Sequence, residues 1–558
     1  MINIQPQYLN LIKLLSGRLL RIPEYQRAYS WGSTQRKDLF DDLIKARRKG
    51  TADGHFMAAV VCHRLDVKQL GTDEYQVLNI VDGQQRITTL VILLKSLSLA
   101  LSVGSDAEQT AHRELRDLLV KPDGSDLLLL QTNHDSNHYY SKFMVEGGSV
   151  EPALANSLAD REILSAIREC KSFITKFQEE GFSLLELTAL LKNRLFFLLH
   201  ETADEKSVYT VFEVLNSRGL EVSWLDRLKS ILMATAFELE NADTKQLIHD
   251  LHVFWKDIYR EIGLRQGLSP ELLRFAATLR STAAPSKTMS EADAVTLFRT
   301  TSISGVTLRD SARWILKVAE ACEKVVSSRR QSAVSRIAQA RLLAVAIHLR
   351  EDFTERERTA ALGAWEKVTF RIYGMLRRDA RTRVGEYVRL AHRVINEKFT
   401  IEETLAGIDQ IGQEFPIDVA SEALRSSDCY HDWDENLRYF MFRREEYLAK
   451  EKGQNFDNEI WEKIWQASAS DSIEHIYPQS SCPEEHKNRL GNLTLLPPKL
   501  NSKLSNRAPE EKAPAYRDTG LGLATEIVAI VDESGWGPEQ IDAREKTLID
   551  WAKEEWGD

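Results

Sequence analysis

A mainly helical protein with small mixed α/β parts is the fold class predicted by this sequence of 558 residues. Three observations carry that expectation. From about residue 235 to 450, apolar positions recur at helical spacing between short polar joints, which reads as an all-α middle. Near the N-terminus, His55-Phe-Met-Ala-Ala-Val-Val-Cys62 and Tyr75-Gln-Val-Leu-Asn-Ile-Val81 are β-branched runs, the second of which feeds a long helix. Near the C-terminus, Ser472-Ile-Glu-His-Ile-Tyr-Pro-Gln-Ser480 and Gly491-Asn-Leu-Thr-Leu-Leu496 read as strand, loop and strand, followed by a Pro-Pro break and a polar helical segment.

A chain of this length exceeds what one hydrophobic core holds, so two to four domains are expected, here at 1–235, 236–425 and 426–558. The formal net charge of −10 argues against a generic basic DNA coat, although a local basic face can still bind nucleic acid. The five cysteines are scattered and never form a Cys-x-x-Cys pair, which speaks against a disulfide framework or a four-cysteine zinc site and for a reducing cytoplasm. No signal-peptide layout is present. The most apolar long run, Thr89 to Val103, is broken by Lys95 and serines, so a core helix is expected there and no membrane partner.

In chain order, residues 1–20 read as an amphipathic opening helix. Arg21-Ile-Pro-Glu-Tyr-Gln-Arg-Ala-Tyr-Ser-Trp31 follows as a non-helical stretch, then a helix of mixed charge from Thr34 to Lys49. The strand ending at Val81 turns through Asp82-Gly-Gln-Gln-Arg-Ile-Thr-Thr-Leu90 into the long helix. Free N–H groups at such a helix start favour a phosphate, and Arg86 one turn in can add a guanidinium fork. The same Asp82-x-x-Gln85 spacing also suits a plain capping box, and both readings stand at this point. Residues 104–190 are helical and polar, with His134 and His138 read as loop residues. Asn193 to His200 reads as a buried strand and Ser207 to Gly219 as a helix stopped by glycine, after which Ser223 caps another helix carrying Asp226 and Lys229.

The segment Lys367 to Lys398 concentrates Arg371, Arg377, Arg378, Arg381, Arg383, Arg389 and Arg393, with Tyr373 and Tyr387 interleaved. It either tracks a phosphate backbone or forms a solvated face paired with the acidic remainder. In the C-terminal strand–loop–strand–helix, Glu474, His475, Asn492 and Asn501 can gather around one divalent cation, Mg²⁺ or Mn²⁺. Glu474 and Asn501 supply the oxygen ligands that a hard ion requires, and His475 stays off the metal as general base. Asn492 is expected to orient His475. Lys503, Arg507 and Lys512, near the following helix, are expected to hold the cut strand. Adjacent residues of a regular strand face opposite ways, so Glu474 and His475 can share a site only if the strand frays or twists at Pro478.

Glu-His-Ile-x-Pro-Gln-Ser with asparagines at 492 and 501 resembles the His-Asn-His (HNH, ββα-metal) endonuclease motif, with Glu474 in place of the aspartate of its Asp-His-Ile-x-Pro-Gln-Ser form. Ile-Pro-x-Tyr-Gln-Arg-x-Tyr-x-Trp, Val-Asp-Gly-Gln-Gln-Arg-x-Thr-Thr-Leu and Phe212-Glu-x-Leu-Asn-x-Arg-Gly219 resemble the N-terminal domain of GmrSD-type modification-dependent restriction systems. That resemblance implies a ParB/sulfiredoxin-like α+β domain that binds and hydrolyses a nucleoside triphosphate, GTP foremost. Its pocket would be lined by Gln26, Arg27, Asp82, Gly83, Gln84, Gln85 and Arg86, with Asn216 and Arg218 reaching in from a turn. Ala58 stands where the family commonly has glycine. Together the resemblances imply a nucleotide-regulated endonuclease acting on modified or phage double-stranded DNA in the bacterial cytoplasm, with a homo-oligomer as one route to cutting both strands. The alternative is a ParB-like, nucleotide-switched DNA-binding protein whose C-terminal hairpin is structural.

Overall fold

The computed structural model describes residues 6–48, 54–121, 126–132, 138–148, 158–205, 207–209, 223–239, 243–263, 268–425, 427–453, 456 and 458–557. His134, Asn216, Arg218 and Gly219 lie outside them. The chain divides into two compact units, residues 1–277 with 289–320 and residues 278–288 with 321–558. The helical stretch expected at 236–425 is thus shared: its first helices belong with the N-terminal unit and the remainder with the C-terminal one.

The first unit is built on a six-stranded mixed sheet of β1 (Gln7–Asn10), β2 (Arg18–Ile22), β3 (His55–Leu70), β4 (Asp73–Asp82), β5 (Leu129–Gln131) and β6 (Leu195–Thr202), in the order β1-β6-β3-β4-β2-β5. β3 and β4 form an antiparallel hairpin turning at Gly71, whose φ of +62° is the left-handed conformation that glycine adopts without a steric cost. β2 runs parallel to β4 and β5, and β3 parallel to β6. The opening helix expected over residues 1–20 is corrected: among the described residues of that stretch only Leu11–Leu15 is helical, between β1 and β2. Gly17 at φ +67° breaks the helix, and parallel pairing of Leu19 and Leu20 with Val77 and Leu78 draws the rest into the sheet.

Helix Gln84–Leu101 is the centre of this unit, buried on nearly every face and packed on helices Asp106–Leu119, Leu158–Glu179 and Leu184–Asn193. Its near-continuous apolar sequence, with Ser96 and Ser98 hydrogen-bonded internally, suits a core helix and not a span. No helix among the described residues is long and apolar enough to cross a membrane.

Among its described residues the second unit is helical apart from the two-stranded hairpin β7 (Ile473–His475) and β8 (Leu493–Leu495), which is followed by helix Pro498–Leu504. Strands of three residues are too short to stand alone, so their placement depends on what surrounds them. The buried Arg544 donates to the carbonyls of Gly491 (2.8 Å) and Leu493 (2.9 Å). Gly491 is required because a Cβ there would lie 2.1 Å from the Ile541 carbonyl oxygen of helix Pro538–Trp556. That helix is anchored in turn by Trp551 and Trp556, whose rings each lie 5.2 Å from Phe440. All five cysteines are buried free thiols.

Candidate active site

β7 and β8 pair antiparallel, Glu474 opposite Thr494 and His475 opposite Leu493. The strand ends at His475, so the opposition of neighbouring side chains does not separate the pair. Both residues line one cleft of about 440 Å³, together with Asp471, Gln479, Asn501, Ser502 and Asn506. The hairpin and helix thus place Glu474, His475 and Asn501 on one cleft, and Asn492 outside its lining.

Asn492 does something other than aim His475. Its Oδ1 accepts the Tyr477 N–H (2.8 Å), and its amide nitrogen donates to the carbonyls of Lys487 (3.0 Å) and Tyr477 (3.2 Å). It is fully buried and clamps the loop between the strands, because three backbone groups turned inward there have no strand partner. The groups that do touch the imidazole are Asn488, Gln479 and Tyr430. Asn488 Oδ1 lies 3.1 Å from Nε2, the Gln479 amide nitrogen 3.0 Å from Nδ1 and 3.2 Å from Nε2, and the Tyr430 ring 4.6 Å away between centroids. Burial pushes the His475 pKa down to about 4; the Asn488 hydrogen bond opposes this, and the charges of Lys512, His431 and Lys487 add to it. The ring is therefore neutral near pH 7 and able to accept a proton.

Lys512 is corrected as a DNA contact. Its side chain is 0% exposed, with the ammonium 2.7 Å from Glu474 Oε1 and 2.7 Å from the His475 carbonyl oxygen. No phosphate outside the fold can reach it. Tyr516 Oη also donates to Glu474 Oε1, at 2.9 Å. Burial raises the Glu474 pKa, and Lys512 and Tyr516 oppose the rise. Glu474 Oε2 and the Asn501 oxygen are left able to accept, since Asn501 spends its amide nitrogen on the carbonyls of Asp471 (2.9 Å) and Ile473 (3.0 Å). Among the described residues no cluster of three or more His, Cys, Asp or Glu could hold a metal. The donors fit a hard ion that keeps most of its water, the mode in which Mg²⁺ is bound by one or two protein oxygens.

Arg377, Arg378, Arg381 and Arg383 sit on a loop whose shape is fixed from within: Tyr373 Oη donates to the Thr382 carbonyl, Gln339 to that of Ala380, and Asp379 accepts the Arg381 N–H. Arg377 and Arg383 adopt left-handed backbone, at φ 50° and 55°. Arg377 reaches Asp432 at 3.6 Å, and Arg383 pairs with Glu414 at 2.9 Å. Arg378 and Arg381 are exposed and form no ion pair among the described residues. The tyrosines interleaved in sequence do not face out with them; Tyr387 is buried on Thr369. Asp432 follows Tyr430, which lines the cleft, so Arg377 is tied by an ion pair to a segment that reaches the cleft.

In the N-terminal unit, Asp82 ends β4 and Gly83, at φ +90°, opens helix Gln84–Leu101. A Cβ on Gly83 would lie 3.3 Å from the Ala59 carbonyl oxygen. Burial raises the Asp82 carboxyl pKa; the Gly83 N–H, Arg27 and Arg86 oppose the rise, and Asp226 adds to it. The capping-box reading fails because Gln85 turns away from Asp82: its Oε1 accepts the Ser30 N–H (2.8 Å) and its nitrogen donates to the Ala28 carbonyl (3.0 Å). Gln85 is therefore corrected from ligand contact to loop support. Gln84 holds the Arg27 carbonyl at 3.3 Å and leaves a buried Oε1 without a partner among the described residues. Lys229, fully buried, donates to the Tyr25 carbonyl at 2.9 Å, with its pKa pushed down to about 7 by burial, partly offset by Asp226. Arg27 lies 3.8 Å from Asp226. Arg27, Asp82, Arg86 and Asp226 thus share one electrostatic neighbourhood at a helix N-terminus.

Sequence reasoning passed over Asp428, Tyr430, His431 and Asn488, because they lie outside the strand–loop–strand stretch or carry no motif spacing. Gln479 was visible in the motif without an assigned part. Residues 11–233 match the N-terminal domain of the GmrSD restriction endonuclease, and residues 415–551 match the C-terminal domain of GmrSD restriction endonucleases. No curated protein matches the chain. With both domain types matched in order on one polypeptide, and with Asp82–Arg86 inside the first and the hairpin cleft inside the second, the chain belongs to the GmrSD family of restriction endonucleases.

Proposed function

We propose that the chain is a metal-dependent endonuclease of the HNH type, regulated by a nucleoside triphosphate bound in its N-terminal unit and directed at modified or phage DNA in the bacterial cytoplasm. The observation that carries this reading is the convergence of a neutral imidazole, a carboxylate and an amide oxygen on one polar cleft. His475 accepts the proton of a water attacking phosphorus. Lys512 and Tyr516 fix Glu474 by one oxygen and leave the other for a ligand. The Asn492 clamp fixes the loop that follows His475. A divalent ion held by Glu474 and Asn501 would neutralise the charge that builds on the phosphoryl and leaving oxygens. Arg378 and Arg381 hold the strand by its phosphates. One such centre cuts one strand, so a nick is the expected single product, and a double-strand break takes two events or a homo-oligomer.

In the N-terminal unit, Gln26, Arg27, Asp82, Gly83, Gln84 and Arg86, joined by Asn216 and Arg218, are proposed to hold the triphosphate, with GTP preferred. A helix N-terminus opened by glycine lets backbone N–H groups approach a phosphate closely. Such a nucleotide controls the nuclease only if it contacts two conformations differently.

The test is plasmid cleavage with and without Mg²⁺ or Mn²⁺, comparing wild type with His475→Ala. Wild type should nick only with metal, and the variant should lose at least about 100-fold in rate, the lower range for a positioned general base. Equal behaviour of the two proteins would instead favour a DNA-binding protein without nuclease chemistry.

A further inference from the structure

His475 is held by a chain of polar groups that starts on a distant turn. The Asp428 carboxylate accepts the backbone N–H groups of Tyr430 (3.0 Å) and His431 (2.9 Å) on Oδ1. Its other oxygen faces the Asn488 amide nitrogen at 2.9 Å and His431 Nδ1 at 2.9 Å. The Cys429 N–H donates to the Asn488 carbonyl at 3.0 Å, so the backbones of the two segments are tied as well.

Each group in this chain constrains the next. An ionised carboxylate only accepts, so Asn488 must turn its nitrogen toward Asp428. Its Oδ1 then faces His475 Nε2, at 3.1 Å. An amide oxygen also only accepts, so the proton of the neutral ring must sit on Nε2. Nδ1 keeps its lone pair; the Gln479 amide nitrogen lies across the ring edge, 3.0 Å from Nδ1 and 3.2 Å from Nε2, so it occupies neither nitrogen's lone pair and leaves the choice of tautomer to Asn488. Without Asp428 the Asn488 amide could rotate end for end and present N–H to the ring, which would place the proton on Nδ1 instead.

We propose that Asn488, oriented by Asp428, is the positioning residue that sets the tautomer of His475 and makes Nδ1 the atom that takes the proton from the attacking water. This rests on the reading of His475 as general base. The fixed amide removes the non-productive tautomer from the resting population, the part that supporting residues commonly play for a working histidine.

The informative variant is Asp428→Asn, which keeps the side chain's shape. Its Oδ1 stays on the Tyr430 and His431 N–H groups, so its new nitrogen takes the place of Oδ2 and faces Asn488. The Asn488 amide must then turn over. In full-length protein labelled with ¹⁵N-histidine, the His475 signal is assigned by its absence in His475→Ala. Wild type should carry the proton on Nε2 and Asp428→Asn on Nδ1. Plasmid nicking by Asp428→Asn should lose about 10–100-fold in kcat, the usual effect of removing such a support, with KM for DNA unchanged. Asn488→Leu, which removes the acceptor, should give a mixture of tautomers and a kcat loss of the same order. An Nδ1-protonated ring in wild type, or an Nε2-protonated ring in Asp428→Asn, overturns the proposal, as does a fall in kcat without a change of tautomer. The tautomer is read without turnover, so failure of the nuclease reading, seen as undiminished cleavage by His475→Ala, is a separate result.

Discussion

Glu474 and Lys512 are a buried pair in which each answers the other's charge, 2.7 Å apart and both nearly inaccessible to water. Removing one member of such a pair leaves a bare charge in a medium that solvates it poorly. Lys512→Met should therefore cost about 3–5 kcal/mol in denaturant unfolding, the range for breaking a buried ion pair. A loss below about 1 kcal/mol, the range of an exposed pair, would mean that the carboxylate finds water instead. Added Mg²⁺ should restore more stability to Lys512→Met than to wild type, since binding to the folded state stabilises by mass action and the freed carboxylate is the stronger ligand. Spacing alone made Lys512 a plausible phosphate contact, because nothing in a sequence distinguishes a lysine that points out from one that points in.

At the level of elements, the ββα stretch was legible: two short apolar runs, a Pro-Pro break and a polar helix appear where the sequence placed them. What the sequence did not disclose is how strands of three residues are kept in place. The loop clamp of Asn492, the caps from Arg544 and the close approach at Gly491 all join distant segments. The opening segment shows the converse, where a helical periodicity over residues 1–20 yielded to strand pairing on both sides of Gly17. The arginine loop belongs to this scale too. Arg377 and Arg383 are partly neutralised by Asp432 and Glu414, whereas Arg378 and Arg381 keep their charge exposed. Replacing Arg378 and Arg381 together by Ala should weaken DNA binding and lower the steepness of its salt dependence by about two, roughly one for each phosphate that is no longer neutralised. Arg383→Ala should change that slope far less, and equal slopes for wild type and the double variant would leave the loop as ordinary surface charge.

For the whole molecule, an acidic chain of net charge −10 carries the exposed Arg378 and Arg381, without an ion pair among the described residues, in its second unit, while the first unit gathers carboxylates and arginines at a helix start. That division predicts separable activities. Asp82→Ala and Arg86→Ala should each abolish triphosphate hydrolysis, measured as phosphate release, while metal-dependent nicking in the absence of nucleotide persists. Normal hydrolysis in both variants would remove the nucleotide from this site.

The sequence by itself determined the helical class, the two motif-bearing stretches and the trio of Glu474, His475 and Asn501, because local spacing and residue chemistry suffice to write a hairpin followed by a helix. Only the tertiary structure decided which neighbours serve that trio. Asp428 lies 60 residues from Asn488, which itself reaches His475 across 13 residues of chain, and hydrogen bonds of this kind leave no periodic trace along the chain. The same holds for Lys512, Gln85 and Asn492, whose polar ends are spent inside the fold on groups that burial would otherwise leave unpaired.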